Sequence, residues 1–508
     1  MIDNISANSA RVNPNEHPTM ASRHELCHLP SPGLYLPVLG HIKILLNGMD
    51  ILRTMCQFYE KYSKDGILFL STFGLNIVFV GDFDTLKQIY NHPDVQHRAH
   101  SDPKKCIFTH KIAEDRGEKM GPLKGLIFSQ EKTWVEQRRF TLRVLRDFGF
   151  GKSSMEELIQ DEVKQFTSFL KQFTDIPVDF EGKFNLPVLN SLWRISSGES
   201  FEYTDQQLVN ITKKLTEFFK KTGQPISSLF LTQPWIFKLF PNFLGRRDDM
   251  MMNRSITHLM EESIVDHKRT LDVSSPRDFI DTMLIEIMNT TDEDSSFYKE
   301  TGIRNLVNTM FDLFMAGAET TSTTLMWAIL YLVREQEIQS KVHAELDSVI
   351  GQSRLPSLSD RQNLPYTEAV IYEIQRCGNV MPTGVQHMTS KPIQINGFHI
   401  PEDTIINPFY PEIHKGEYWR DGHVFRPERF LDDSGKLKPD EHLIPFCIGK
   451  RRCLGEPLAK AELFLFITSL VQAFQLLPES ADKVPTEEYQ TGITVQPKPF
   501  KLVLKTRF

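Results

Sequence analysis

The chain is 508 residues long, 40% hydrophobic and 24% charged, which suits a globular protein of one large or several ordinary domains. Its 58 basic and 65 acidic side chains give a formal charge of −7, so there is no global case for nucleic-acid binding. Six cysteines (Cys27, Cys56, Cys106, Cys377, Cys447 and Cys453) lack paired spacing, which argues for a reducing compartment and against a disulfide scaffold.

Residues 1–28 are polar, mix acids with bases and lack an apolar h-region, so they read as a disordered tail rather than a signal peptide. From Leu29 to His41 prolines are dense enough to fix φ and give a stiff extended entry. Ile67–Leu70 and Ile77–Val80, split by Gly74, predict a hairpin. No run reaches the ~20 apolar residues of a spanning helix. Helices are expected at Glu156–Phe173, Gln206–Lys221, Asn253–Arg269, Arg277–Met288, Gly302–Gln336, Ile338–Ile350 and Pro365–Gly378. Further strands are expected at Ile393–Ile395, Thr404–Ile406 and Lys501–Leu504. The apolar, aromatic stretch 224–247 reads either as a lid over the core or as a patch that dips into lipid. Strands and helices do not alternate, so a doubly wound fold is disfavoured. One mainly α domain over 29–508, with small β-sheets at its edge, fits best.

Four constellations carry chemistry. In Phe446-Cys447-Ile448-Gly449-Lys450-Arg451-Arg452-Cys453-Leu454-Gly455, a cysteine follows three cations and precedes a helix that starts near Glu456-Pro457. The helix dipole and the cations favour a thiolate, a strong ligand for haem iron. Gly449 and Gly455 let backbone approach a flat cofactor. In the long apolar helix, small residues Ala316, Gly317 and Ala318 leave a groove. The Thr320 hydroxyl can bond back to a carbonyl one turn earlier. Glu319 is costly to bury unpaired, which points to proton handling. Glu373 and Arg376, three apart on a helix, read alone as a solvated pair. Trp134 and Arg138 lie one turn apart, and arginine offers a planar fork for carboxylates.

In chain order, W-x-x-x-R, [A/G]-G-x-[D/E]-T, E-x-x-R with Pro427-Glu428-Arg429-Phe430, and F-x-x-G-x-R-x-C-x-G resemble the motifs of cytochromes P-450 over about residues 29–505. The resemblance is closest to the microsomal, family-2-like clan. It implies the P-450 fold, with a long central helix over haem b (iron protoporphyrin IX) and Cys453 as the iron ligand. Phe446, Gly449, Gly455, Ala316 and Gly317 would border the cofactor. Arg451, Trp134, Arg138, Arg98 and His387 would bind its carboxylates. Thr320 and Glu319 would deliver protons for O–O cleavage, while Glu373, Arg376 and Arg429 would form a structural network beneath the haem.

The implied activity is insertion of one oxygen atom of O2 into a hydrophobic small molecule such as a steroid, fatty acid, isoprenoid or xenobiotic. Electrons would come from an NADPH-dependent reductase docking near Lys450, with cytochrome b5 as a further partner. Substrate contacts are expected from Cys106–Phe128, Leu229–Phe240, Asn308–Gly317, Val380–Val385 and Gly492–Thr494. The implied place is the cytoplasmic face of the endoplasmic reticulum. The family's anchor has no counterpart in residues 1–28, which leaves peripheral membrane contact or a cytoplasmic protein open. A peroxide isomerase on the same fold and a haem carrier or sensor are the rival readings.

Overall fold

Aspartate-capped helices and a hairpin come first among the described elements. The computed structural model describes residues 28–32, 41, 50–72, 75–98, 124–150, 153–222 and 246–507. The polar tail, most of the proline-dense entry, the apolar stretch 223–245 and residues 99–123 lie outside them.

Helix α1 (Ile51–Tyr62) starts where the Asp50 carboxylate accepts the Arg53 N–H at 3.0 Å. Strands β1 (Ile67–Thr72) and β2 (Leu75–Val80) form the expected antiparallel hairpin. Asp82 caps α2 (Phe83–Asn91) in the same way. There follow α3 (Glu131–Asp147), α4 (Ser153–Leu170), β3 (Pro177–Asp179), α5 (Asn185–Ser197) and α6 (Gln206–Thr222). Then come α7 (Arg246–Thr270), α8 (Phe279–Asn289), α9 (Lys299–Arg334), α10 (Gln336–Val349) and α11 (Pro365–Gly378). Pro365 opens α11, and Asn379 closes it in the left-handed region at φ 42°.

Four short strands come next: β4 (His387–Met388), β5 (Ile393–Ile395), β6 (Phe398–Ile400) and β7 (Ile405–Pro408). The chain ends through α12 (Tyr410–Lys415), α13 (Glu456–Ala473), β8 (Phe474–Pro478), β9 (Tyr489–Gln490), β10 (Gln496–Pro497) and β11 (Lys501–Thr506).

The largest sheet has the order β1-β2-β7-β4, and β2 runs parallel to β7 with Ile77 opposite Ile405. A second sheet places β11 between β3 and β8. Helix α9 is the axis of the molecule: 36 residues long, it packs against α5, α7, α11 and α13. Most of its side chains are buried on every face, as a helix apolar all round requires. The result is a mainly α domain with small sheets, as the sequence implies.

Candidate active site

Buried as it is, α9 keeps one accessible stripe at its middle. Ala316 is exposed and Leu313, Gly317, Thr320 and Thr324 are half-buried, while their neighbours are sealed. These positions recur at helical spacing, so one face of α9 borders an internal cleft. The Thr320 hydroxyl donates to the Ala316 carbonyl at 2.8 Å, which fixes it on that face. The small residues divide their labour. A Cβ at Gly317 would meet the Leu192 side chain at 2.6 Å, so Gly317 serves the close approach of α5. Ala318 is sealed in the core. Only Ala316 opens the cleft.

Glu319, next in sequence to Thr320, points elsewhere. Its carboxylate is buried and accepts from the Thr216 hydroxyl at 2.8 Å and from the Gln496 amide. It lines a small polar cavity shared with Glu181, Asn185 and Thr323. Burial pushes its carboxyl up to about 7, against hydrogen bonds that pull the other way. The acid and the alcohol therefore sit side by side on the helix but address different spaces.

Cys453 lies ahead of α13, whose N-cap is Gly455. The loop folds back so that the Cys453 N–H donates to the Phe446 carbonyl at 2.9 Å. Gly449 has φ +78°, and a Cβ there would lie 2.7 Å from the Tyr90 carbonyl oxygen, so no other residue fits. Cys453 has accessible surface although protein surrounds it, the combination found on a cleft wall. One expectation is corrected. The thiol of the protein alone is not held as thiolate: burial pushes it up to about 11. The Arg451 guanidinium bonds to the Gln96 and Ser129 carbonyls at 3.2 and 2.8 Å, and Lys450 and Arg452 are exposed. The cation that does pull the thiol down is Arg138.

Arg98, Arg138 and Arg451 converge. Arg451 lies 3.9 Å over the Trp134 ring, and Arg138 lies 6.0 Å from the same ring. Arg138 also donates to the Arg452 carbonyl at 2.6 Å, which ties α3 to the cysteine loop. Arg98 is buried and donates to the carbonyls of Ile127, Val385 and Gln386 at 3.1, 3.1 and 2.8 Å. Among the described residues no carboxylate pairs with any of the three. Burial, then mutual repulsion, brings Arg451 down to about 8. Burial is also the main cause that brings Arg98 down to about 10. The Arg451 Nη1 is buried with no partner at all. A cluster of desolvated cations and an orphaned donor is costly unless an anion joins it.

His387 stacks on Tyr90 at 3.9 Å, and its Nδ1 meets the Val95 carbonyl at 2.9 Å. Burial keeps it neutral. In that form Nδ1–H donates to the carbonyl, and Nε2 has no proton to give to a carboxylate.

Beneath the cysteine loop, Glu373 takes two bonds from Arg376 at 2.7 Å and one from Arg429 at 3.0 Å. Arg376 also donates to the His414 carbonyl, and His414 Nε2 accepts the Ile444 N–H at 3.2 Å. Ile444 in turn accepts the Cys447 N–H at 3.0 Å. The sequence spacing gave no sign of His414 as this link.

Of the segments expected around a substrate, Ile493 bonds to the Phe219 carbonyl and Val495 to the Val380 carbonyl, each at 2.8 Å. They meet beside α9, where Trp327 donates to Val495 at 2.9 Å. Residues 106–123 and 229–240 lie outside the described residues.

A flat dianion carrying a metal that seeks sulfur fits this donor set, which is the requirement of haem-thiolate enzymes as a class. A model of the family described as Cytochrome P450 matches residues 30–504, and the chain belongs to that family. Cytochrome P450 2J1 of Oryctolagus cuniculus is 37% identical over 91% of this chain and 88% of its own length. Cytochrome P450 2J2 of Homo sapiens is 40% identical over 74% of each chain. A farnesoate epoxidase of Bombyx mori is 30% identical over 96% of each. The protein is accordingly a family-2-like monooxygenase, an oxidoreductase whose cofactor is haem.

Proposed function

We propose that the protein inserts one oxygen atom of O2, by hydroxylation or epoxidation, into an apolar small molecule, with an isoprenoid or fatty-acid-like chain as the first class to test. The observation that carries this reading is the accessible Ala316–Thr320 stripe on a helix otherwise sealed, with the Thr320 hydroxyl fixed at 2.8 Å from the Ala316 carbonyl. The name of the Bombyx mori relative supports epoxidation of an isoprenoid acid.

Cys453 holds the iron, and Arg98, Arg138 and Arg451 with Trp134 hold the carboxylates. Phe446, Gly449 and Gly455 shape the loop, and Glu373, Arg376 and Arg429 keep it in place. Bound haem supplies the reductive activation of dioxygen. Thr320 holds a proton at its Oγ1 on the cleft face. Glu319 loads from the polar cavity beside that face and reaches Thr320 by a change of rotamer.

Electrons come from an NADPH-dependent reductase, with cytochrome b5 as a second donor, over the face of Lys450 and Arg452. Exposed Arg139, Arg143 and Arg146 on α3 extend that basic face, and the sequence motifs did not single them out. We place the protein at the cytoplasmic face of the endoplasmic reticulum, with peripheral contact through residues 224–247. Among the described residues no helix is long and apolar enough to cross a membrane. Residues 29–508 act as the catalytic domain.

The test is a spectrum followed by turnover. Dithionite-reduced protein with carbon monoxide is expected to give a strongly red-shifted Soret band that Cys453→Ala abolishes. Reductase, NADPH and O2 are then expected to oxygenate apolar olefins. A band typical of histidine-ligated haem would overturn the Cys453 assignment. A normal band without oxygen uptake on any apolar substrate would favour a carrier.

A further inference from the structure

Asp312 lies on α9 one turn before Ala316 and two before Thr320, on the same face. It is 5% exposed. A carboxylate so buried needs partners, and Asp312 finds them in backbone. Its Oδ2 accepts the Leu126 N–H at 2.7 Å and the Ile127 N–H at 3.0 Å. Gly125 passes so close that a Cβ on it would lie 2.5 Å from the same oxygen. About two helical turns earlier, Asn305 Oδ1 takes the Gly125 N–H at 3.1 Å.

The other side of this strap belongs to the arginine cluster. The Ile127 carbonyl accepts from Arg98 Nε at 3.1 Å, and the Ser129 carbonyl accepts from Arg451 Nη2 at 2.8 Å. The Ser129 hydroxyl closes the strap on itself by donating to the Gly125 carbonyl at 2.5 Å. Ile127 thus gives its N–H to α9 and its C=O to Arg98. Among the described residues the two guanidiniums have no carboxylate to orient them, so these carbonyls set their aim.

We infer that Asp312 is a positioning residue for the haem carboxylates: through residues 125–129 it sets where Arg98 and Arg451 stand relative to α9. It acts without touching the cofactor. The inference rests on the reading of the arginine cluster as the carboxylate site.

The experiment is transfer of haem from the purified holoprotein to excess apomyoglobin, followed by absorbance. Arg451→Ala is expected to speed haem loss about tenfold or more, the effect of one buried charge-assisted bond. Asp312→Ala is expected to do the same. Asp312→Asn keeps an acceptor oxygen and should stay within a few-fold of wild type. The double variant Asp312→Ala/Arg451→Ala should be little faster than either single variant, because both remove one arrangement. A merely structural aspartate would give multiplying effects instead, and that result overturns the inference. So does Asp312→Asn losing haem as fast as Asp312→Ala. If Arg451→Ala is fast and Asp312→Ala is not, the inference alone falls; if Arg451→Ala is itself unchanged, the carboxylate reading falls with it. Should Asp312→Ala yield no holoprotein, Gly125→Ala breaks the same contact from the strap side. An unchanged rate in that variant also overturns the inference.

Discussion

Glu319 carries a proton at a pH where an exposed carboxylate has long lost it, because burial costs more than the Thr216 and Thr323 bonds return. Its value of about 7 lies above the ordinary 4.5, so the folded protein binds the proton more tightly than the unfolded chain. Stability must then fall as pH rises through that window, and Glu319→Gln should remove this fall. The difference amounts to about 3 kcal/mol by pH 8, readable as converging and then crossing denaturant midpoints of the two proteins. Thr320→Ala removes the hydroxyl on the cleft face. Several-fold less product per NADPH is expected, with peroxide accounting for the missing electrons. An acid beside a threonine in an apolar helix is plain in the sequence. The side of the helix each one faces is not, since it depends on Gln496, 177 residues away. The cations next to Cys453 are equally plain in the sequence, but the burial that raises its thiol is a property of the fold.

The expected helices lie within a few residues of α4, α6, α8, α9, α10 and α11, but α7 starts at Arg246, well before Asn253, and α5 has no counterpart among them. Two-residue strands such as β4 and β9 were not legible, because so short a run has no period to detect. Their pairing is set by what packs against them. The E-x-x-R pair shows the same divide. Alone it is a surface pair worth little; in the fold Glu373 and Arg376 are both fully buried, and Glu373 also binds Arg429. Glu373→Ala leaves the fully buried Arg376 guanidinium without a carboxylate, while Arg429 keeps Asp421 at 3.0 Å. A loss of about 3–5 kcal/mol is expected in the urea midpoint. The thiolate-type Soret band should weaken with it, because Arg376, His414 and Ile444 lead from this network to the cysteine loop.

Over the whole molecule, charge is net acidic but locally sorted, with Arg139, Arg143 and Arg146 exposed on α3 and Lys450 and Arg452 exposed on the cysteine loop that Arg138 ties to it. An acidic redox partner steered to that face should reduce the protein at least tenfold faster at about 0.01 M than at about 1 M salt. Lys450→Glu should lower the rate at low salt and leave it nearly unchanged at high salt. A stopped-flow reduction rate flat in ionic strength would remove this docking face.

Strand β2 has its second neighbour, β7, more than three hundred residues further along the chain. During synthesis at about 5–20 residues per second, the hairpin must wait roughly 15–60 s with one edge unpaired. That edge carries Ile77, Val78, Phe79 and Val80, an inviting template for another chain. The first hairpin to leave the ribosome is therefore among the last parts of the molecule to be safe from aggregation, and a cell making this protein must shield it until residue 408 has emerged.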